Sequence, residues 1–325
     1  MKTKLLFSTA LILLTALFCL NVMAQEPIWD PNKVNLVTKK LGENVYGVFP
    51  TEAFEAPADK AKATTGGFIV GKNSVLVIES FLNADLAAQM INQVKQVSQL
   101  PIKYLVNTSY HGDHSYGNYV FPSTTTIIQH KEAKKYVEKY FSEDTKFMIQ
   151  NFGLGRGIER VVPRPGDLLI DSPITIDLGG VEVEILTFGF GQTPGDLYVW
   201  EAKSKVLFVG NVIVAAPPAI PWLLDGRHEE VLVTLKKIKS FLPEDATIIP
   251  GHHAPMKKID MDFVINYLTA LHAGVESGIK KGLTVEKITE TLKMDEFNKG
   301  YNLYGWLHFQ MNIPKTYSDL KNSKK

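Results

Sequence analysis

Apolar positions divide the chain into two similar successions of strands and helices. Residues 34–38 and 45–49 carry the short apolar runs of strands. Gly66-Gly67-Phe68-Ile69-Val70 and Val75-Leu76-Val77-Ile78 flank Gly71-Lys72-Asn73, the pattern of a hairpin. From Asp85 to Val97 the period changes, and Leu86, Met90, Ile91 and Val94 fall on one helical face. Residues 102–108 (Ile-Lys-Tyr-Leu-Val-Asn-Thr) read as a buried strand, and Lys131 to Ile149 as a second helix. Glycines at 153, 155, 157 and 166, with Pro163 and Pro165, make 151–166 an irregular loop.

The succession then repeats in outline. Ile174 to Leu178 and Val181 to Phe188 flank Gly179-Gly180, while Leu197 to Trp200 and Val206 to Val209 flank Ala202-Lys203-Ser204-Lys205, giving two consecutive hairpins. Helical spacing returns at Val231, Leu232, Leu235, Ile238 and Leu242, and Thr247-Ile248-Ile249 runs into Pro250-Gly251-His252-His253. From Asp260 onward the pattern is mostly helical, and no tandem repeat is present. Two strand-and-helix successions, each reaching a histidine-bearing loop, predict two facing sheets with helices outside and a site where loops meet at one edge.

At 325 residues, 45% hydrophobic and 21% charged, the chain has the composition of a soluble globular protein. Its first residues stand apart. Lys2 and Lys4 precede the apolar run Leu11 to Leu20, followed by Val22-Met23-Ala24, which reads as a secretory signal peptide over 1–24 with a mature start near Gln25. A secreted or periplasmic protein is expected, with 25–325 as one domain that ends in a helical tail from about 260 to 325. The only cysteine, Cys19, leaves with the leader, so no thiol or disulfide is expected in the mature chain. Losing Lys2 and Lys4 turns the formal charge of +1 into −1. Without a basic excess, nucleic acid is not an expected partner, and no later apolar run reaches membrane-spanning length. The expected partner is a small-molecule substrate.

Candidate chemistry concentrates in Ser109-Tyr110-His111-Gly112-Asp113-His114, a tight loop after the 102–108 strand. Imidazole nitrogen and carboxylate oxygen are what Zn²⁺ takes from proteins, and a short glycine-containing loop lets neighbouring side chains converge. The bland alternative is a polar loop whose histidines merely hydrogen-bond. His253, His130, His228, His272 and His308 lack partners at ligand spacing and read as satisfied structural residues. The proline-stiffened run Ala215 to Leu224 reads equally well as a cleft wall or as core.

Together, these segments resemble the metallo-β-lactamase-fold superfamily over nearly the whole mature chain. Besides the histidine loop, Gly189-Phe190-Gly191-Gln192-Thr193-Pro194-Gly195-Asp196 is similar to the family's Gly-His-Thr-Pro segment. Leu207-Phe208-Val209-Gly210-Asn211 is similar to the strand end carrying its Asp or Cys ligand, and Ile249-Pro250-Gly251-His252 to its closing Pro-Gly-His. The resemblance implies an α/β fold, the αββα four-layer sandwich, and a zinc-dependent hydrolase.

It also exposes departures. Ser109 stands where the family's first loop histidine belongs, Gln192 replaces the Gly-His-Thr-Pro histidine, and Asn211 replaces the Asp or Cys. Of the first metal site only His111 survives as an imidazole, whereas Asp113, His114 and His252 match a complete second site. The implied metal ligands are therefore Asp113, His114 and His252, with His111 joining them in a two-zinc variant. In the single-zinc form His111 is free to act as a general base beside Asp113, and Ser109, Gln192 and Asn211 line the vacated pocket. Glu79 falls where the family often has an acidic residue behind the metal loop, where it would either hydrogen-bond a metal-binding side chain or form a simple salt bridge. The alternative to a hydrolase is a degenerate, non-catalytic member that binds a ligand in the old cleft.

Overall fold

The computed structural model describes residues 33–55, 63–152 and 155–322, so the expected signal peptide lies outside the described residues. Two sheets face each other. The first has seven strands in chain order: β1 (Leu36–Lys40), β2 (Val45–Pro50), β3 (Gly66–Val70), β4 (Val75–Ile78), β5 (Ile102–Val106), β6 (Thr126–His130) and β7 (Leu168–Ile170). The second has six, with β8 (Ile174–Asp177), β9 (Glu182–Leu186), β10 (Tyr198–Glu201), β11 (Val206–Gly210), β12 (Thr247–Pro250) and β13 (Met256–Lys257) in the order β13-β12-β11-β10-β9-β8.

Period-two alternation builds the layers. On β4, Val75 and Val77 point outward to α1 (Ala84–Val97), whereas Leu76 and Ile78 point inward to the second sheet. On β11, Val206 and Phe208 meet that same interior, and Leu207 and Val209 face the helices on the far side. Three apolar layers result, helix on sheet, sheet on sheet, and sheet on helix, which is the αββα sandwich. Helix α1 presents Leu86, Met90 and Val94 to the first layer, each contributing about 1.5–3 kcal/mol by burial. Its start is fixed by Asn83, whose side chain accepts from the Leu86 N–H at 2.9 Å.

The outer faces are closed by α2 (Lys131–Phe152) and, against the second sheet, by α3 (His228–Phe241), α4 (Met261–Lys280), α5 (Val285–Thr291) and α6 (Ile313–Asn322). A π-helical turn, Trp306–Asn312, leads into α6, with the Ile313 N–H bonded to the His308 carbonyl. Pro314 has no N–H to offer a carbonyl one α-turn earlier, a sufficient reason for the widened turn. Among the described residues, no helix is long and apolar enough to cross a membrane.

Two of the strand pairs decide where chemistry sits. β4–β5 and β11–β12 are parallel, so their carboxyl ends lie together, and the loops leaving β5, β11 and β12 carry Ser109 to His114, Asn211 and His252. The run Ala215–Leu224 proves to be both core and surface: Ala215, Ala219, Ile220 and Leu223 are buried against the C-terminal helices, whereas Trp222 is half-buried and Leu224 exposed.

Candidate metal centre

The loop after β5 ends in a one-turn helix, Gly112–Ser115, that points Asp113 and His114 toward the second sheet. Its position is heavily over-determined. The His114 carbonyl accepts from the Ser80 N–H and hydroxyl at 3.0 and 3.2 Å and from Asn107 Nδ2 at 3.0 Å. Asn107 is in turn held by Asn118 and Gln129, so the turn rests on a buried amide network. From the other side, Thr64 donates to both the backbone oxygen and the Oδ2 of Asp113 at 2.9 Å.

His252 arrives from β12. Its N–H donates to the Val214 carbonyl at 2.7 Å, and the Gly251 carbonyl accepts from Thr65 at 2.6 Å. Two glycines allow the strand ends to close up. A β-carbon on Gly251 would lie 2.0 Å from Asn211 Oδ1, and one on Gly210, whose φ is +58°, would lie 2.2 Å from Thr108 Oγ1.

Among the described residues, Asp113, His114 and His252 form a group whose ligand atoms all lie within 4.8 Å of one another. Asp113 Oδ2 is 3.0 Å from His252 Nε2 and 3.4 Å from His114 Nε2. His114 is fully enclosed, whereas Asp113 and His252 keep 18% and 22% of their side chains accessible, so the group opens to solvent on one side. Behind His114 lies Glu79, with Oε1 2.9 Å from Nδ1. A carboxylate can only accept, so Nδ1 carries the hydrogen and Nε2 presents its lone pair to the centre. Glu79 is itself held by the Thr108 hydroxyl and N–H and stands in left-handed backbone at φ 71°.

His114 Nε2 supplies the test of whether these residues suit a metal. It is buried with no hydrogen-bond partner, and, unlike the Nε2 of His228, which is in the same state, it converges with Asp113 Oδ2 and His252 on one point, the arrangement that suits a cation. Charge agrees. Burial acts to raise Asp113, yet the His114, His252 and His111 imidazoles outweigh it and hold the carboxyl far below the usual carboxylate range. Burial likewise acts to lower His114, but Asp113 and Glu79 push it up to about 9.

His111 stays outside this group. Its Nε2 lies 3.1 Å from Asp225 Oδ2, which also accepts from Tyr110 Oη at 3.0 Å, while Tyr110 stacks on Tyr136 at 3.8 Å. Burial lowers His111, but the Asp225 hydrogen bond and charge more than compensate and raise it. The three substituted positions are enclosed and neutral. Ser109 Oγ accepts from the His111 N–H at 3.3 Å, and Gln192 Nε2 donates to the Trp222 carbonyl at 3.2 Å. Gln192 Oε1 and Asn211 Oδ1 are buried without a partner. Asp196 closes the loop around Gln192 by accepting from the Gln192 and Thr193 N–H groups at 2.7 and 3.1 Å, and burial pushes it up to about 6.

The sequence alone did not point to Asp225, Asp196, Thr64 or Thr108. Asp196 lies within a quoted motif and Thr108 adjoins another, but Asp225 is 114 residues from His111 and carried no local signal. The other histidines are structural: His308 pairs with Tyr267 and the Leu292 carbonyl, His228 with Thr316, and His130 Nδ1 accepts from the Glu132 N–H. His253 remains outside the ligand group.

The family model of the Metallo-beta-lactamase superfamily matches residues 61–252. Among solved structures, a metallo-beta-lactamase from Pontibacter korlensis aligns with a TM-score of 0.52 at 14% identity, covering 72% of this chain and 99% of that one. TMB-1 aligns at 0.56 with 11% identity over 72% and 97%, and VMB-1 at 0.53 with 18% over 73% and 97%. Identities this low carry the fold only.

Proposed function

We propose that this chain, which belongs to the metallo-beta-lactamase superfamily, is an exported hydrolase that holds one Zn²⁺ with Asp113, His114 and His252 and cleaves an ester, lactone, thioester or amide. The observation that carries this reading is the unpartnered, buried Nε2 of His114 inside a two-imidazole, one-carboxylate group that is open on one side. When bound, zinc supplies Lewis acidity toward a carbonyl and toward water.

The chain's own residues supply the remainder. Asp225 engages Nε2 of His111 and fixes the ring, leaving Nδ1 to take or return a proton at the reacting group. Gln192 and Asn211 form an enclosed, neutral polar backing behind the cleft, and Ser109 sets the loop that carries His111. A β-lactam is one amide in this class. Export rests on Lys2, Lys4 and the apolar run after them.

Elemental analysis of the purified mature protein after zinc supplementation, paired with an ester, lactone, thioester and β-lactam panel, tests the proposal. About one zinc per chain, with turnover lost in Asp113→Ala and His252→Ala, is the expected result. A stable protein that takes up no transition metal would remove the mechanism. The neutral trio Ser109, Gln192 and Asn211 favours a second reading, a non-catalytic binder. That reading predicts ligand binding and stability indifferent to both alanine variants.

A further inference from the structure

Everything after residue 252 lies beyond the family match, yet part of it reaches the cleft. Asn312, at the end of the π-helical turn, is completely buried. Its Nδ2 donates to the Pro221 carbonyl at 2.8 Å and to Tyr267 Oη at 3.0 Å, and its Oδ1 accepts from the Leu223 N–H at 3.3 Å. One side chain thereby grips both flanks of Trp222, whose ring meets Trp306 of the same turn at 5.3 Å. The inner side of that strip serves the site: the Trp222 carbonyl accepts from Gln192 Nε2, and two residues beyond Leu223 the Asp225 carboxylate holds His111 and Tyr110.

We propose that Asn312 is a positioning residue for the cleft, clamping residues 221–225 from outside so that Asp225 fixes the His111 ring and Trp222 fixes Gln192. This rests on the reading that places His111 and Gln192 in the working cleft. The clamp suits an asparagine because it must donate to a carbonyl and accept from an amide at once, and neither leucine nor aspartate does both. A tail that merely covered apolar surface would have no need to satisfy a backbone donor and a backbone acceptor of the same strip.

The test uses the zinc-loaded full chain, with hydrolysis of p-nitrophenyl acetate, deuterium exchange of residues 219–226 and the ¹⁵N signals of the His111 ring. Asn312→Leu is expected to leave zinc content unchanged, raise exchange in 219–226, shift the His111 signals and lower kcat about tenfold with a smaller change in KM. In an Asp225→Asn background the same substitution is expected to change kcat less than about twofold, because the two act in series. Tyr267→Phe, which removes a contact of Asn312 but none to the strip, is expected to leave exchange and His111 signals as in the wild type. Asn312→Ala, which adds neither a branched apolar group nor a buried charge, provides a second measurable variant if the leucine form does not fold, with an effect of the same sign. Wild-type exchange and His111 signals in both Asn312 variants, or an undiminished kcat effect in the Asp225→Asn background, would overturn the proposal. If the wild type hydrolyses none of the ester, lactone, thioester and β-lactam panel, the hydrolase reading fails, and exchange and the His111 signals alone decide the clamp.

Discussion

His114 and His228 are equally buried, both with no accessible surface, yet they sit at opposite electrical extremes. His114, at the sheet edge, faces two carboxylates that overcome its burial and push it up to about 9. His228, in the seam between α3 and the C-terminal helices, has the Thr316 hydroxyl on Nδ1 at 3.1 Å and the His272 ring at 5.4 Å. Burial first, then the neighbouring His272 charge, pushes it down to about 4. Enclosure alone therefore assigns no role to a histidine. The partners it meets decide whether it is prepared for a cation or kept neutral for packing.

The contrast can be broken most forcefully by removing its anion. Asp113→Ala is expected to weaken zinc binding about a thousandfold while leaving the fold intact, measured by competition with a chromophoric chelator. Undiminished affinity would mean the three residues do not share an ion. At His228 the expectation is a pH effect. Its folded-state pKa lies below the unfolded value near 6.5, so stability is full above that value and is lost as pH falls through about 4. The loss amounts to on the order of 3 kcal/mol, and denaturant melts of His228→Gln between pH 7 and 4 should be flatter than wild type by that amount. Parallel curves would remove His228 as the acid-sensitive element.

Smaller effects sharpen the picture at the metal end. Glu79→Gln leaves an oxygen for His114 Nδ1 but no charge, and an expected loss of about 10–100-fold in zinc affinity tests whether the carboxylate matters beyond geometry. Thr64→Val deletes the hydroxyl on Asp113 and should weaken zinc only severalfold, about 1 kcal/mol, by isothermal titration. A Thr64 effect larger than that of Glu79 would mean that the hydroxyl on Asp113 matters more than the charge behind His114.

Much of this architecture is legible in the residues. Gly71-Lys72-Asn73 and Gly179-Gly180 announce their hairpins, and β4 and β11 read as unbroken apolar runs because each buries one face under a helix layer and the other in the inter-sheet layer. β6 is missed because Thr126–His130 is short, follows a run of threonines and pairs in parallel with both neighbours, so it lacks both a turn signal and an amphipathic period. The candidate trio is readable since Asp113 and His114 are adjacent and His252 follows a recognisable Pro-Gly. What His111 does is not readable, because Asp225 reaches it through a loop whose course is set by Asn312 on a helix nearly 90 residues further on.

Glu79 combines a carboxylate the imidazole needs with a left-handed main chain that suits glycine or asparagine better. Holding a glutamate there costs about 1–3 kcal/mol, offset only in part by the bonds its carboxylate accepts from the Thr108 N–H and hydroxyl. Position 79 should therefore act as an evolutionary recorder. Lineages still selected for the ion are expected to retain an acid at it, and those released from that selection to drift toward residues at ease with the turn.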